Sequence, residues 1–154
     1  MPRRRLRSAA ATRALGERLG QRAEAGAVFA LVGALGAGKT LLAGGIGAGL
    51  GVRGPVASPT FVLCMLHEDG RLPFAHVDLY RVAGLAEAEA AGLLEAIHGR
   101  GVCAVEWADR VPDLLPADHL WVEIRPVAGR PNERDVILRA TGPRHAPFEA
   151  VLHG

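Results

Sequence analysis

The stretch AVFALVGALGAGKTLLAGGIGAGL, residues 27–50, decides the fold class of this 154-residue chain. It opens with a short apolar run, Ala27 to Val32, which is typical of a strand buried on both faces of a parallel sheet. A glycine-rich turn follows, and Lys39 to Leu50 resumes with a helical pattern. A strand, a turn and a helix in this order form the first half of a βα unit and predict an α/β fold.

The turn itself, GALGAGKT at residues 33–40, fits the pattern G-x-x-x-x-G-K-[ST] and lies between a strand and a helix, as the mechanism of that pattern requires. The glycines of such a loop let backbone N–H groups wrap phosphates, and the helix N-terminus adds a partial positive charge. Lys39 is expected to reach the β and γ phosphates, and the Thr40 hydroxyl to ligate magnesium. The sequence therefore predicts binding of ATP with Mg²⁺. The predicted nucleotide-binding residues of the loop are Gly33, Leu35, Gly36, Ala37, Gly38, Lys39, Thr40 and Leu41.

Lysine usage supports this interpretation. The chain has 18 basic residues, and Lys39 is its only lysine. A planar guanidinium cannot replace a compact ammonium inside a closely wrapped phosphate loop, so a bias towards arginine should fail at this position. The single lysine stands where that argument requires it.

Two apolar runs end on carboxylates. Val102 to Val105 stops at Glu106, and the strand-like run that begins at Phe74 stops at Asp78. A phosphate loop needs a further carboxylate on a neighbouring strand to complete the magnesium shell, and Glu106 is predicted to supply it together with Thr40. Asp78 is the rival, since either acid could hold metal or position a water. The predicted catalytic residues are Lys39, Asp78 and Glu106. His76, two residues before Asp78, suggests a proton relay, although strand alternation does not establish contact.

Helical and strand-like patterns alternate along the rest of the chain. Thr12 is predicted to cap a first helix. Helices are predicted over residues 13–24 and 85–97, and strands over residues 60–66, 74–78, 101–106, 120–125 and 135–140. The expected architecture is one three-layer α/β domain over residues 12–154, with a largely parallel central sheet and an antiparallel C-terminal hairpin turning at residues 129–132. Residues 1–11 are expected to form a basic, flexible tail.

Composition excludes several classes. No charge-free stretch reaches the roughly 20 apolar residues of a membrane span, and a cytoplasmic location is expected. The net charge of +2 forms no basic stripe beyond the N-terminal arginines, so a nucleic-acid surface is not predicted. Cys64 and Cys103 have neither metal-site nor redox spacing and are interpreted as buried core thiols.

Four separated segments together resemble one family. They are GALGAGKT (residues 33–40), SPTF (58–61), HVDLYR (76–81) and VEW (105–107). Their order and spacing resemble the TsaE (YjeE) family, the bacterial ATPases of tRNA threonylcarbamoyladenosine synthesis. The phosphate loop alone is generic, whereas DLYR combined with VEW is specific. The likeness extends from about residue 12 to residue 140.

This resemblance implies a small ATPase that joins TsaB- and TsaD-type partners, where TsaD modifies adenosine 37 of tRNAs that read ANN codons. The chain would meet tRNA only through that complex. The resemblance also implies a loop, Ser58-Pro59-Thr60, that responds to nucleotide, a requirement for Asp78 in turnover, and an approach of Arg130 to the nucleotide. Thr12 joins the expected nucleotide-binding set, and Tyr80, Arg81 and Trp107 are assigned to partner contacts or structure.

Two positions depart from the family pattern. Ala34 stands where relatives commonly carry aspartate, and Leu41 where they commonly carry a second threonine, so a difference in turnover is expected. The competing hypotheses are a small-molecule kinase, which would need an arginine-rich lid, and an assembly module in which ATP binding matters and hydrolysis does not. A GTPase is disfavoured because the chain has no N-K-x-D motif.

Overall fold

A computed structural model of the chain describes residues 2–56 and 63–153. Its α-helices are α1 (Ala9–Arg22), α2 (Lys39–Gly49), α3 (Leu85–Ala90) and α4 (Leu93–Ile97), and shorter 3-10 helices cover Ala108–Arg110, Pro112–Leu114 and Ala146–His153. Its strands are β1 (Arg3–Leu6), β2 (Val28–Val32), β3 (Cys64–His67), β4 (Phe74–Asp78), β5 (Val102–Glu106), β6 (Leu120–Val127) and β7 (Arg130–Ala140).

The strands within the described residues form one sheet in the order β1-β7-β6-β2-β5-β4-β3. The central pairs β6–β2, β2–β5 and β5–β4 are parallel, whereas β3, β7 and β1 join in antiparallel pairs. Alternate residues of β2 enter two separate cores: Phe29 and Leu31 pack with α1 and α2, and Val28 and Ala30 pack with α3 and α4. The predicted three-layer α/β fold with an antiparallel hairpin is confirmed.

The N-terminal segment corrects one expectation. Residues expected in a flexible tail instead form β1, which pairs with β7, because Arg3 and Arg5 both bind Asp135 and Leu6 is buried. The Arg4 guanidinium donates to the carbonyl of Leu152 (2.5 Å), close to the other end of the chain. These contacts anchor the segment to the sheet.

The first helix also begins earlier than predicted. Ser8 is the N-cap of α1, since its hydroxyl accepts a hydrogen bond from the Ala11 N–H at 3.0 Å. Thr12 therefore lies inside the helix, where it is buried. The apolar pattern that begins at Thr12 marks the buried face of α1, whereas the first turn of the helix lies before it.

The predicted helix over residues 85–97 is divided into α3 and α4. Gly92 separates them with φ of +78°, a left-handed conformation that glycine adopts without steric cost.

The expectation of two buried cysteines is right for Cys103, whereas Cys64 on the edge strand is only half-buried. No helix among the described residues is long and apolar enough to cross a membrane.

Helices α1 and α2 pack with their backbones almost in contact. A Cβ atom added to Gly45 would collide with the backbone oxygen of Arg13 and lie 3.0 Å from the Cα of Gly16. One turn further along, Gly20 and Gly49 meet in the same way. Because α2 begins at Lys39, this glycine contact fixes the position of the phosphate-loop helix relative to α1.

Candidate functional site

The loop at residues 33–40 turns sharply from β2 into α2. Gly36 and Gly38 have φ of +78° and +115°, which L side chains rarely adopt, and the Ala37 N–H donates to the Ala34 carbonyl at 3.0 Å. At the start of the loop, a Cβ on Gly33 would lie 2.5 Å from the Ile124 carbonyl oxygen. Glycine is therefore required at these positions for two reasons, backbone conformation and close approach.

Lys39 is folded back onto its own loop. Its Nζ donates to the carbonyls of Gly33 (2.6 Å) and Ala34 (2.9 Å) and lies 4.0 Å from the centroid of the Trp107 ring. The residue is 4% exposed, and this burial lowers the pKa of the ammonium. Nearby Glu106 opposes that lowering. The amine is held at the loop by weak neutral partners, which an anionic ligand can displace.

Thr40 and Glu106, both predicted as magnesium ligands, lie in direct contact. The Thr40 Oγ1 donates to the Glu106 carboxylate, 2.9 Å from Oε1 and 3.0 Å from Oε2. Asp78 is the register partner of Glu106 across the parallel β4–β5 pair, so the two acids end neighbouring strands on the same face. The structure thus brings the oxygen atoms of Thr40 and Glu106, the predicted metal ligands, and of Asp78, the rival acid, together at the C-terminal ends of β4 and β5.

The oxygen atoms of Thr40 and Glu106 suit a magnesium ion that also binds phosphates better than they suit a metal ion that is coordinated by protein side chains alone. Among the described residues there is no group of three or more histidine, cysteine, aspartate or glutamate side chains placed to hold a metal ion. Mg²⁺ is commonly bound through one or two carboxylates together with substrate phosphates, and it prefers hard oxygen ligands. A hydroxyl and a carboxylate beside a phosphate loop match that requirement.

Sequence reasoning missed the partner of His76. The suspected relay joined His76 to Asp78, but the imidazole Nε2 lies 2.5 Å from Oε2 of Glu106. The Oδ1 of Asp78 accepts from the Tyr80 N–H at 2.9 Å. Because the contact joins two strands far apart in sequence, only the β4–β5 register could have revealed it.

Aromatic side chains form one wall of the site. Trp107 directly follows β5 with φ of +57°, the only positive φ outside glycine among the described residues. Its ring contacts Tyr80 at a centroid distance of 4.8 Å, and the Arg110 guanidinium lies 5.7 Å from the Tyr80 centroid. The strained backbone of Trp107 turns its ring towards Lys39.

An open cleft lies beside the loop at residues 33–40, lined by described residues. Its lining includes most of the predicted nucleotide-binding and catalytic positions, namely Leu35, Gly36, Gly38, Lys39, Thr40, Leu41, Asp78 and Glu106. Tyr80 and Trp107, predicted to contact partners or to be structural, also line it. Leu35 is 78% exposed, so the loop offers a large apolar side chain to solvent at the mouth of the cleft.

Other predicted residues lie around the cleft or away from it. The Thr12 methyl group approaches Gly38, since a Cβ there would lie 3.7 Å from it, while the Thr12 hydroxyl faces the Ser8 carbonyl. Arg130 pairs with Glu133 at 3.2 Å and does not line the cleft, and Arg81 is exposed. Ser58, Pro59 and Thr60 lie outside the described residues.

Arg134 on β7 is a residue that the sequence did not indicate. Its guanidinium donates to two carbonyls of the phosphate loop, those of Ala37 (Nε, 2.6 Å) and Gly36 (Nη2, 3.3 Å). The C-terminal hairpin therefore supports the loop from outside. No local pattern around Arg134 predicts a contact with residues almost a hundred positions earlier.

Comparison with known proteins gives consistent results. The family model described as "Threonylcarbamoyl adenosine biosynthesis protein TsaE" matches residues 6–136. Proteins named tRNA threonylcarbamoyladenosine biosynthesis protein TsaE are similar to the chain: one from Bacillus subtilis is 40% identical over 87% of this chain and 82% of its own length. Another, from Streptomyces coelicolor, is 43% identical over 92% of this chain and 99% of its own length.

A solved structure extends the similarity to the fold. The crystal structure of YdiB from Bacillus subtilis superposes with a TM-score of 0.83 at 34% sequence identity. The superposition covers 98% of this chain and 93% of that protein.

Proposed function

The chain belongs to the TsaE family of threonylcarbamoyladenosine biosynthesis proteins, and we propose that it is the ATP-binding and slowly ATP-hydrolysing member of the machinery that modifies tRNA. One observation carries the proposal: Lys39, Thr40 and Glu106 meet at the loop between β2 and α2. The proposed product is threonylcarbamoyladenosine at position 37 of tRNAs that read ANN codons. TsaB- and TsaD-type proteins are the proposed partners, in the cytoplasm.

The residues of the loop would bind the phosphates of ATP. Backbone N–H groups of residues 33–40 and the first turn of α2 supply donors and a positive dipole end. Lys39 would exchange the Gly33 and Ala34 carbonyls for phosphate oxygens, a gain because charge-assisted hydrogen bonds are the stronger ones. Leu35, Leu41 and Thr12 would flank the nucleotide, and Arg130 remains a candidate for approaching it.

Thr40 and Glu106 would hold Mg²⁺, which when bound neutralises charge on the phosphates during phosphoryl transfer. The Glu106 carboxylate already forms hydrogen-bond contacts with the Thr40 hydroxyl and with His76. These contacts would hold its oxygens in place for binding the metal ion. This arrangement favours Asp78, the neighbour of Glu106 across the sheet, as the residue that orients the attacking water. Asp78→Asn should then spare ATP binding and slow turnover.

The described lining residues of the cleft include groups that would bind phosphate, hold a metal ion and orient a water. Hydrolysis is therefore the chemistry proposed for the isolated chain, at a turnover below about 1 s⁻¹, under the lower end of typical enzymes. Partners would raise turnover by supplying or ordering groups that stabilise the transition state, as happens in other phosphate-loop proteins. The Ser58-Pro59-Thr60 segment is the proposed part of the chain that responds to nucleotide and partner.

The test measures phosphate release by the chain alone and with a TsaB- and TsaD-type pair, then modified adenosine over several turnovers. Wild type should be stimulated by the pair and support repeated modification, whereas Lys39→Ala, checked for folding by circular dichroism, should do neither. Unchanged hydrolysis with the pair, together with multiple rounds supported by Lys39→Ala, would refute the proposal. Rapid phosphorylation of a small acceptor without partners would favour a kinase instead.

A further inference from the structure

His76 is the most deeply buried ionisable side chain beside the site. It is 0% exposed on β4, and strand neighbours such as Phe74 and Val77 are equally buried and apolar. An imidazole in such surroundings costs free energy unless its polar atoms are hydrogen-bonded. An apolar side chain would fill the same space without that cost, so packing alone does not account for histidine here.

The hydrogen bonding of His76 is one-sided. Its Nε2 lies 2.5 Å from Oε2 of Glu106, whereas its Nδ1 is buried and has no hydrogen-bond partner among the described residues. An ionised carboxylate only accepts hydrogen bonds, so the ring nitrogen that faces it carries the proton. The geometry therefore directs an Nε2–H donor of His76 at the Glu106 carboxylate.

We propose that His76 is a positioning residue for magnesium: its Nε2–H fixes the Glu106 carboxylate in the orientation that completes the metal shell with Thr40. Glu106 receives donors from two sides, the Thr40 hydroxyl from α2 and the imidazole from β4. Glu106 is 3% exposed, which leaves little water to hold its carboxylate otherwise. This inference rests on the proposed function, because it concerns the same metal site.

The physical role is preorganisation. A carboxylate at the end of a side chain with three rotatable bonds loses conformational freedom when it binds a metal, and a preformed hydrogen bond reduces that loss on binding. Partners behind a metal ligand also orient its lone pairs, and their removal typically costs about 10- to 100-fold in metal affinity. His76 is the described side chain in that position behind Glu106, and the Phe74 ring stacks on the imidazole at a centroid distance of 6.3 Å.

The experiment compares ATP affinity with excess MgCl₂ and with EDTA by calorimetry. His76→Leu, which removes the donor, should cut the magnesium-dependent gain in ATP affinity by about 10-fold or more, with the affinity in EDTA nearly unchanged. His76→Gln, which keeps an N–H donor at a similar distance along the side chain, should recover much of the gain. Val77→Ala is the matched control: Val77 is equally buried on β4 but packs in the other core, so the change should lower stability without changing the magnesium-dependent gain.

A second measurement uses the free wild-type protein and needs no folded apolar variant. Long-range ¹H–¹⁵N spectra should show that His76 carries a proton on Nε2, its signals being identified by their loss in His76→Gln. An Nε2 without a proton, or a full magnesium-dependent gain in folded His76→Leu, would overturn the assignment of His76 alone. Absence of that gain in wild type would instead remove the proposed metal function and this inference with it.

Discussion

Lys39 combines chemical uniqueness with an unusual environment. It is the chain's only lysine, it is 4% exposed, and its ammonium contacts two carbonyls and the Trp107 ring. Burial lowers the pKa of this amine, which increases the fraction available as a nucleophile at a given pH, while the same burial limits access. Chemical modification at this residue therefore reports on the loop directly.

We expect amine-selective acylation to abolish ATP binding through one side chain, Lys39, because the α-amino group is the only other amine target. ATP should protect Lys39 and leave labelling of the α-amino group unaffected, which provides an internal control. Peptide mass spectrometry measures both sites, and calorimetry measures affinity. Complete labelling of Lys39 with unchanged ATP affinity would contradict its role in phosphate binding.

Arg134 should contribute to ATP affinity although it is not among the residues that line the cleft. Its guanidinium donates to the Ala37 and Gly36 carbonyls, so Arg134→Ala should loosen the loop and weaken ATP binding by roughly 1–3 kcal/mol, the usual cost of leaving hydrogen-bonded groups unsatisfied. Arg139→Ala, on the same strand but packed on the Trp121 ring, is the control and should leave affinity unchanged. Equal affinities of Arg134→Ala and wild type would show that the loop needs no support from β7.

At the scale of elements, the decisive contact is that between α1 and α2. The sequence predicted both helices from their periodicity, and it placed the phosphate loop correctly because strand, loop and helix are continuous in the chain. It did not predict the depth of the α1–α2 approach, which depends on glycines of two helices meeting face to face. The partners of His76 and Arg134 were missed for the same reason, since their contacts depend on strand order and register.

Two neighbouring glycines of α2 should respond oppositely to alanine. Gly45→Ala places a methyl group against the backbone of α1 and should destabilise the fold by about 1–3 kcal/mol, as overpacking does. At Gly44 the nearest atom is 3.5 Å away, so Gly44→Ala should stabilise by up to about 1 kcal/mol through helix propensity. Urea unfolding measures both, and a Gly45→Ala variant as stable as Gly44→Ala would disprove the close packing.

At the scale of the whole molecule, stability should depend on a histidine far from the cleft. His145 is fully buried, accepts a hydrogen bond at Nε2 from the Val28 N–H (3.0 Å), and has its Nδ1 2.7 Å from Oδ1 of Asp118. The C-terminal segment is thereby attached to the central strand β2. Burial lowers the pKa of His145, against the opposing effect of Asp118.

Because the folded protein binds a proton at His145 less readily than the unfolded chain, this residue contributes stability above the unfolded pKa of about 6.5. That contribution should be lost as pH falls from there through the lower folded pKa. Urea unfolding at pH 7.5 and 5.5 should show a decrease that His145→Gln reduces, while the exposed His153→Gln leaves it intact. An identical pH dependence in wild type and His145→Gln would exclude His145 as the cause.

The sequence predicted the three-layer α/β architecture correctly. It was wrong about the N-terminal segment, which forms strand β1 and not a flexible tail. Apolar strands and amphipathic helices are local signals, and they sufficed for an α/β domain with an antiparallel hairpin. Strand β1 has only Leu6 facing the core, and its other positions are arginines that look like a solvated tail until Asp135 is placed opposite them. Edge pairing of this kind depends on charges supplied by a strand from the other end of the chain.

The contact between Arg4 and the Leu152 carbonyl means that the beginning and end of the described chain lie side by side. A short glycine-rich linker could therefore join the two ends, and the chain could be reopened at the exposed β6–β7 turn around Gly129. Such a circular permutant would keep the sheet order while changing the order of synthesis, so that β7 emerges before the phosphate loop that Arg134 supports.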